Sequence, residues 1–487
     1  MNILIASIFS IDSYSRGIMP DVLQEQIANN PDANIYYLTC SNTFDVCYFN
    51  ISKQPDICFR CKAGVSNTLS LIEGDFHSIK LSDLIINHDR ELAQEFFQKN
   101  NKIDFDLNYE NFEIGSSTLS TYISRSRDRD LLHVNQDYVH ELASNALVTF
   151  LSVKRFIADK EIDLVYNFNG RQDYVRAILR AALANNIDCL NVERARLGGF
   201  VETYKNVLPH NIHNKWELVQ ECWDKSQLSQ EEKLKIGSEF FERQKSGESI
   251  IFPSYTGEMK KGSLPKMIFN GNKNIVLFNS SDDEFAALGK EFDNPYYKDQ
   301  LEALQVLTDF VGRSLSSHNL IIRMHPNLKG VTHEYATKIL GLNKLYPNIF
   351  VISPESPADS YELIGIADKV ISFGSTTGLE ANYQGKPVIL LGKGLYFYSI
   401  VAYVPKNISE IRVLLKKDLQ PKPKDDTIKF GFYFLKGGKK TKYYFEDSSG
   451  EGIFFKKVRI HYYTFAQRFK SKLIQIAYKL FQLRIKL

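Results

Sequence analysis

Short apolar runs alternate with helix-like stretches along most of the chain. Asn2 to Ile8 is a compact apolar run, followed by a polar loop through Ser10 and Gly17 and a helical stretch around Val22 to Ala28. Ile35 to Thr39 has the same character as the first run, and Ile162 to Phe168 and Ile187 to Val192 bracket an Ala- and Arg-rich helical segment from Tyr174 to Ala184. Apolar runs of this length predict strands buried on both faces, and their alternation with helices predicts a parallel sheet covered on both sides. Leu69 to Leu132 is more polar and carries the charge run Arg125 to Asp130, which predicts a helical insertion with loops. From about Asn211 to Ser249, Lys, Glu and Gln at helical spacing predict a connector. A second alternating series then begins, with strand candidates at Asn274–Phe278, Asn319–Arg323, Ile349–Ile352, Lys369–Ser372 and Pro387–Leu391. The predicted fold class is therefore α/β with two Rossmann-like domains.

Composition narrows the function classes. A chain of 487 residues is too long for one ordinary core, and 44% hydrophobic with 24% charged residues excludes global disorder. A formal charge of +3 excludes a general polyanion-binding surface, so no nucleic-acid partner is expected. Met1 to Ser10 lacks a basic lead, and nowhere do about twenty apolar residues run together, so neither a signal peptide nor a spanning helix is predicted. The expected location is the cytoplasm.

The second series carries the most chemistry. Arg323-Met324-His325-Pro326-Asn327 follows one predicted strand, and Ser372-Phe373-Gly374-Ser375-Thr376-Thr377-Gly378-Leu379-Glu380 follows another. Ligands of open α/β sheets bind outside the carboxyl ends of strands, where helix starts present backbone N–H groups. Gly374 and Gly378 would let a phosphate approach the backbone, with Ser375, Thr376 and Thr377 adding hydroxyls and Glu380 within reach of a ribose. Arg323 and His325 could add charge or hydrogen bonds, with Pro326 fixing the exit from the strand. Each turn alone could be only a cap, and two on successive strands favour a nucleotide site. Ser280 and Ser281, in Asn279-Ser280-Ser281-Asp282-Asp283-Glu284, are further phosphate candidates, with a helix N-cap as the equal alternative.

The series Arg323-Met324-His325-Pro326, Ser375-Thr376-Thr377-Gly378-Leu379-Glu380-Ala381 and Gly385-Lys386-Pro387-Val388 resembles the donor-binding half of capsule polysaccharide biosynthesis transferases, including those that transfer Kdo or sialic acid from CMP. The resemblance covers roughly Asn274 to Leu391, and a similar layout occurs in UDP-N-acetylglucosamine 2-epimerases and in teichoic-acid glycerophosphotransferases. It implies a GT-B fold, two Rossmann-like domains facing a central cleft, with phosphate contacts from His325 and from Ser375 to Thr377. It implies a nucleotide-sugar glycosyltransferase of hexosyl, Kdo or sialyl type, with a CMP-, UDP- or GDP-linked donor. The acceptor would be a growing surface glycan or lipid-linked, in capsule or lipopolysaccharide biosynthesis. A nucleotide-sugar epimerase of the UDP-GlcNAc 2-epimerase type and a non-catalytic polysaccharide assembly protein are the alternatives. The acidic base element of several sialyltransferases has no clear counterpart in the first domain.

The expected organisation is an acceptor domain over 1–210 with a Cys-rich loop at 40–61 and a helical insertion, a helical connector over 211–270, a nucleotide-sugar-binding domain over 271–405, and a linker with a basic tail over 406–487. In the first domain, Asn169-Gly170-Arg171 ends one strand and Glu193-Arg194 the next. Glu193 is the first candidate for the base that takes an acceptor proton and Asp173 the second, while Arg171 and Arg194 are candidates for an acceptor or phosphate. Arginines at strand ends are more often salt-bridged.

Four of the six cysteines, Cys40, Cys47, Cys58 and Cys61, fall close together, a pattern that admits a structural zinc or iron–sulfur cluster or simply reduced packing residues. No cofactor is expected for catalysis. After Glu451 no acidic residue appears, while nine Lys and Arg accumulate, and Phe465, Phe469, Leu473, Ile476, Leu480 and Leu483 recur at helical steps. This predicts an amphipathic helix lying on the inner face of the plasma membrane, or an apolar face packed on protein.

Overall fold

In the computed structural model all residues are described except 12, 249–259, 266–269, 282–286, 290–291, 332, 448–451, 461–462 and 486–487; of residues 13 and 483–485 the backbone alone is described. The chain forms two compact units, Met1–Pro209 with Gly438–Leu487, and His210–Gly437.

The first unit begins with strands β1 (Asn2–Ser7), β2 (Asn34–Thr39), β3 (His77–Lys80), β4 (Leu164–Phe168), β5 (Asp188–Arg194) and β6 (Phe200–Lys205). Ile3, Leu4, Ile5 and Ala6 are all fully buried, and successive strand residues point to opposite faces, so the central strand is covered on both sides. Parallel pairing gives the order β3-β2-β1-β4-β5, with β6 added antiparallel at the edge. Between β3 and β4 lie the helices Asn87–Lys99, Ile114–Ser126 and Gln136–Asp159; the stretch 69–132, read as a helical insertion, holds the first two and also the strand β3.

The second unit holds β7 (Lys273–Phe278), β8 (His318–Arg323), β9 (Ile349–Ile352), β10 (Lys369–Ser372) and β11 (Val388–Leu390), all parallel, in the order β11-β10-β7-β8-β9. All five strand candidates of this unit form. Alternate residues of β7 serve two separate cores. Val276 and Phe278 pack with Phe240, Phe241, Phe430 and Phe434, whereas Ile275 and Leu277 pack with Leu304, Leu307, Val311 and Ile411. Helices Gln230–Ser246 and Asp425–Lys436 thus cover one face, and Gln300–Ser314 and Ile408–Lys416 the other. The helices Ile212–Lys225 and Gln230–Ser246, expected as a connector, belong to this unit. A Cβ on Gly431 would come within 2.2 Å of the Gly237 carbonyl oxygen, so two glycines permit the crossing of Gln230–Ser246 with Asp425–Lys436.

From Gly438 the chain rejoins the first unit through β12 (Lys439–Lys440), which pairs with β6, and the small antiparallel sheet β13 (Tyr444–Glu446), β14 (Ile453–Phe455) and β15 (Val458–Arg459). Tyr444, Ile453, Phe455 and Ile460 pack with Ile3, Ile5, Ile18 and Leu23, and Asp21 accepts the backbone N–H groups of Lys442 and Tyr444. The segment read from sequence as linker and tail therefore contributes to a core. The last element is the helix Phe465–Ile485. The chain thus contains two α/β units, each with a sheet of mainly parallel strands in Rossmann-type order, and ends in a helix.

Candidate functional site

Each sheet reverses its strand order at one place, between β7 and β10 in the second unit and between β1 and β4 in the first. Crevices at such switch points are where open α/β sheets take ligands. In the second unit Phe278 is in register with both Ser372 and Arg323, so the turns after β7, β10 and β8 leave three adjacent strands at one level.

Asn279 joins two of these turns. Its Oδ1 accepts the His325 backbone N–H at 2.7 Å, which directs its Nδ2 the other way. The Ser280 N–H donates to Gln300 Oε1 at 2.9 Å. Asn279 and Ser280 are buried, and among the described residues neither Asn279 Nδ2 nor Ser280 Oγ has a hydrogen-bond partner. Arg323 is also buried, and its Nη atoms donate to the Ser353 and Ser356 carbonyls, leaving Nε without a partner among the described residues. Asn279 Nδ2 and Arg323 Nε are donors and Ser280 Oγ is able to donate, and a buried unsatisfied donor costs about 1–3 kcal/mol, so acceptor oxygens would be favoured beside these turns. Burial lowers the Arg323 pKa, yet a guanidinium stays cationic and favours an anion nearby.

His325 is half-buried, and its Nδ1 accepts the Asn327 N–H at 3.2 Å. An accepting Nδ1 carries no proton, so the neutral ring is the Nε2–H tautomer and Nε2 is a donor. Pro326 opens the 3₁₀ turn Pro326–Leu328, as its fixed φ suits.

The turn after β10 differs in detail from its sequence reading. Gly374 has φ 135°, and a Cβ on the facing Gly394 would meet Gly374 Cα at 2.5 Å, so this turn needs glycine. Ser375, Thr376 and Thr377 are part-exposed; Ser375 Oγ bonds Thr377 Oγ1 and receives the Thr377 N–H at 3.3 Å. The helix Thr377–Tyr383 has seven residues and makes only a weak dipole, with no side-chain cap on it from Thr376. Gly378 makes room for protein: a Cβ there would lie 2.0 Å from the Tyr396 hydroxyl oxygen, which donates to the Ser375 carbonyl at 3.0 Å. Glu380 is engaged by Tyr361, and burial pushes its carboxyl up to about 7. Ser281 is fully buried beside Ser280, and Asp282 to Glu284 lie outside the described residues.

In the first unit, Asn169 (φ 63°) and Gly170 (φ 79°) form the tight turn after β4. Asn169 Nδ2 donates to Glu193, whose other oxygen receives the Arg194 N–H at 3.0 Å. Glu193 is thus half-buried and oriented. Arg171 is buried with Nε on Ser120 Oγ at 2.9 Å, an internal tie. Arg194 forms a two-pronged, nearly buried ion pair with Glu446, so its guanidinium fastens the C-terminal sheet to β5. Asp173 is fully buried; the Tyr174 N–H donates to its Oδ1 at 2.7 Å, and Oδ2 has no partner among the described residues. Burial raises its pKa to about 7.

The metal expectation is overturned. Cys40, Cys47, Cys58 and Cys61 are free thiols, and among the described residues no three His, Cys, Asp or Glu side chains are placed to hold an ion. Burial raises all four thiol pKa values, that of Cys61 to about 12, and favours the neutral thiol over the thiolate that zinc or an iron–sulfur cluster requires. They are packing residues, with Asn50 Nδ2 donating to Cys58 Sγ at 3.3 Å.

Sequence reasoning singled out the strand-end turns but missed Gln300, Tyr361 and Tyr396, which support them. Asn279 follows directly on an apolar strand, a signal strong enough to have marked it as a site residue. The other three come from elements that only the topology brings close.

A family model described as "Capsule polysaccharide biosynthesis protein" matches residues 263–403, which include all five strands of the second unit. No curated protein gives a significant match. Among solved structures, the Thermosulfurimonas dismutans KpsC beta Kdo 2,4 transferase is 13% identical, over 55% of this chain and 78% of that one, with a TM-score of 0.35. The beta Kdo 2,7 transferase of the same organism's KpsC is 16% identical over 58% and 79%, with a TM-score of 0.33. The Methanocaldococcus jannaschii UDP-GlcNAc 2-epimerase is 13% identical over 78% and 97%, with a TM-score of 0.28. Identities and scores this low identify neither a reaction nor a ligand for this chain.

Proposed function

We propose that the chain is a nucleotide-sugar enzyme whose second unit holds the nucleotide phosphate at the turns after β7, β8 and β10. The observation that carries this is a set of three buried groups able to donate that have no acceptor among the described residues, Asn279 Nδ2, Ser280 Oγ and Arg323 Nε, on adjoining strand ends. Phosphate oxygens would accept from them and from His325 Nε2–H, with the hydroxyls of Ser375, Thr376 and Thr377 closing the other side. These donors stabilise the charge that grows on a departing nucleotide, so they would serve the reaction as well as binding.

Two reactions of a bound nucleotide sugar fit this arrangement. In transfer, the first unit presents a growing glycan or lipid-linked acceptor, and Glu193, part-exposed where Asp173 is fully buried, takes the hydroxyl proton. The match of the second unit to a capsule polysaccharide family supports that reading. Epimerisation without an acceptor draws on a different observation: Glu380, with its carboxyl raised to about 7, lies in the nucleotide-holding unit itself, on the helix that follows the Ser375–Thr377 turn. A carboxyl poised there could exchange a proton with the bound sugar near neutral pH. In this proposal the protein works from the cytoplasm at the inner face of the plasma membrane, in capsule or lipopolysaccharide synthesis.

Incubation of the full chain with CMP-, UDP- and GDP-sugars, with and without lipid-linked glycan extract, separates the readings. Nucleotide release that depends on the extract supports transfer; an isomerised nucleotide sugar without extract supports epimerisation. Neither change, with nucleotide still bound, assigns the chain to non-catalytic assembly.

A further inference from the structure

The helix Phe465–Ile485 packs on the helix Pro55–Leu69 along one side only. Gln467 and Asn67 exchange hydrogen bonds through their side-chain amides, at 3.1 and 2.9 Å, Lys470 lies over the Phe59 ring, and Tyr478 donates to the Ser52 carbonyl at 3.1 Å. Gln467, Ser471, Ile474 and Tyr478, at steps of four, three and four, form this half-buried side. The apolar stripe faces elsewhere: Phe465 is 83% exposed, and Phe469, Leu473, Ile476 and Leu480 are each at least half exposed. The amphipathic face that the sequence predicts therefore does not pack on its own unit.

We infer that this stripe lies flat in the interface of an anionic bilayer and holds the first unit against it. The inference deepens the peripheral placement proposed above and does not depend on the sugar chemistry. Charge selects the occupant. No Asp or Glu follows Glu451, while Arg468, Lys472 and Lys479 flank the exposed stripe, so a surface of negative lipid headgroups attracts what a cationic partner would repel. The stripe's steps of four and three are also those of a coiled-coil seam, but a second copy would bring cation against cation with no acidic residue to pair. Among the described residues no helix is long and apolar enough to cross a membrane, so an in-plane position suits this one. Phenylalanines at Phe465 and Phe469 give it a broad apolar edge, and the flanking lysines can extend to the headgroups.

Sedimentation of the full chain with vesicles of phosphatidylglycerol and phosphatidylcholine, against phosphatidylcholine alone, tests the assignment. Binding should be about tenfold stronger to the anionic vesicles and weaken with salt. It should fall by about tenfold or more in Leu473→Asp/Ile476→Asp, and in Lys472→Glu/Lys479→Glu. Neither pair touches the side that packs on Pro55–Leu69, so the melting temperature and any nucleotide-induced shift should stay unchanged. Equal binding to neutral vesicles, or none to either, overturns the inference. So does a dimer, seen by light scattering, that the first pair dissociates while vesicle binding persists. A nucleotide response lost in the wild type with vesicle binding intact would sink the enzyme reading and leave the anchor standing.

Discussion

Asn279 ties the end of β7 to the start of the His325 turn through Oδ1, while its Nδ2 points to no acceptor among the described residues. Asn279→Asp keeps the tie and replaces a donor by a negative charge. It should leave the unfolding free energy within about 1 kcal/mol of wild type and abolish nucleotide-induced stabilisation, as read by thermal shift. Glu380 gives a pH-dependent counterpart. Its folded pKa of about 7 lies above that of an unfolded glutamate, so its contribution to stability is complete below about pH 4 and is lost as pH rises towards 7. Glu380→Gln should therefore raise stability by about 1–2 kcal/mol at pH 8 and change little at pH 4, in denaturant titrations at both values. Residue by residue, the sequence marked the strand-end turns but not the side chains that pack around them. Gly378 read as room for a phosphate, yet the space is taken by Tyr396, and the Nη atoms of Arg323 are held by Ser353 and Ser356, partners that come from segments with no local signal. His325 and Ser280 stood out in the sequence because each is a polar residue two positions past the end of an apolar strand.

At the scale of elements, the alternation of apolar runs marked nearly every parallel strand, because a strand covered on both faces admits only apolar residues along its length. The C-terminal return was not legible. β12 has two residues, and β13 to β15 have two or three each, too short for a period, with packing partners such as Ile3 and Ile18 at the other end of the chain. The crossing of Gln230–Ser246 with Asp425–Lys436 was hidden for the same reason, since Gly237 and Gly431 look like helix weaknesses until they meet. Gly431→Leu should destabilise by about 2 kcal/mol or more through overpacking, seen as a lowered urea midpoint. The cysteine cluster is the opposite case, a sequence pattern that the burial of its thiols turns into packing. Incubation with EDTA should leave the melting temperature unchanged, and metal analysis of the purified protein should find no stoichiometric zinc or iron.

For the whole molecule, the chain leaves its first unit at His210 and re-enters it at Gly438, so that unit is complete only when the chain's last segment has folded back. Ending the chain after Gly437 would strip Tyr444, Ile453, Phe455 and Ile460 from a core and leave Arg194 without Glu446. That truncation should yield insoluble protein, whereas one ending after Thr464 should fold and fail to bind anionic vesicles, a contrast that solubility and sedimentation can read. The residues of the proposed phosphate site all belong to the other unit, so nucleotide binding should be the same in the chain that ends after Thr464. The most direct test of the central claim is thermal stabilisation of the full chain by CMP, CDP, UDP and GDP, in wild type and in His325→Ala. A selective rise with one nucleotide, lost in the variant, is the predicted result. No shift with any of the four at saturating concentration would contradict a phosphate site at these strand ends.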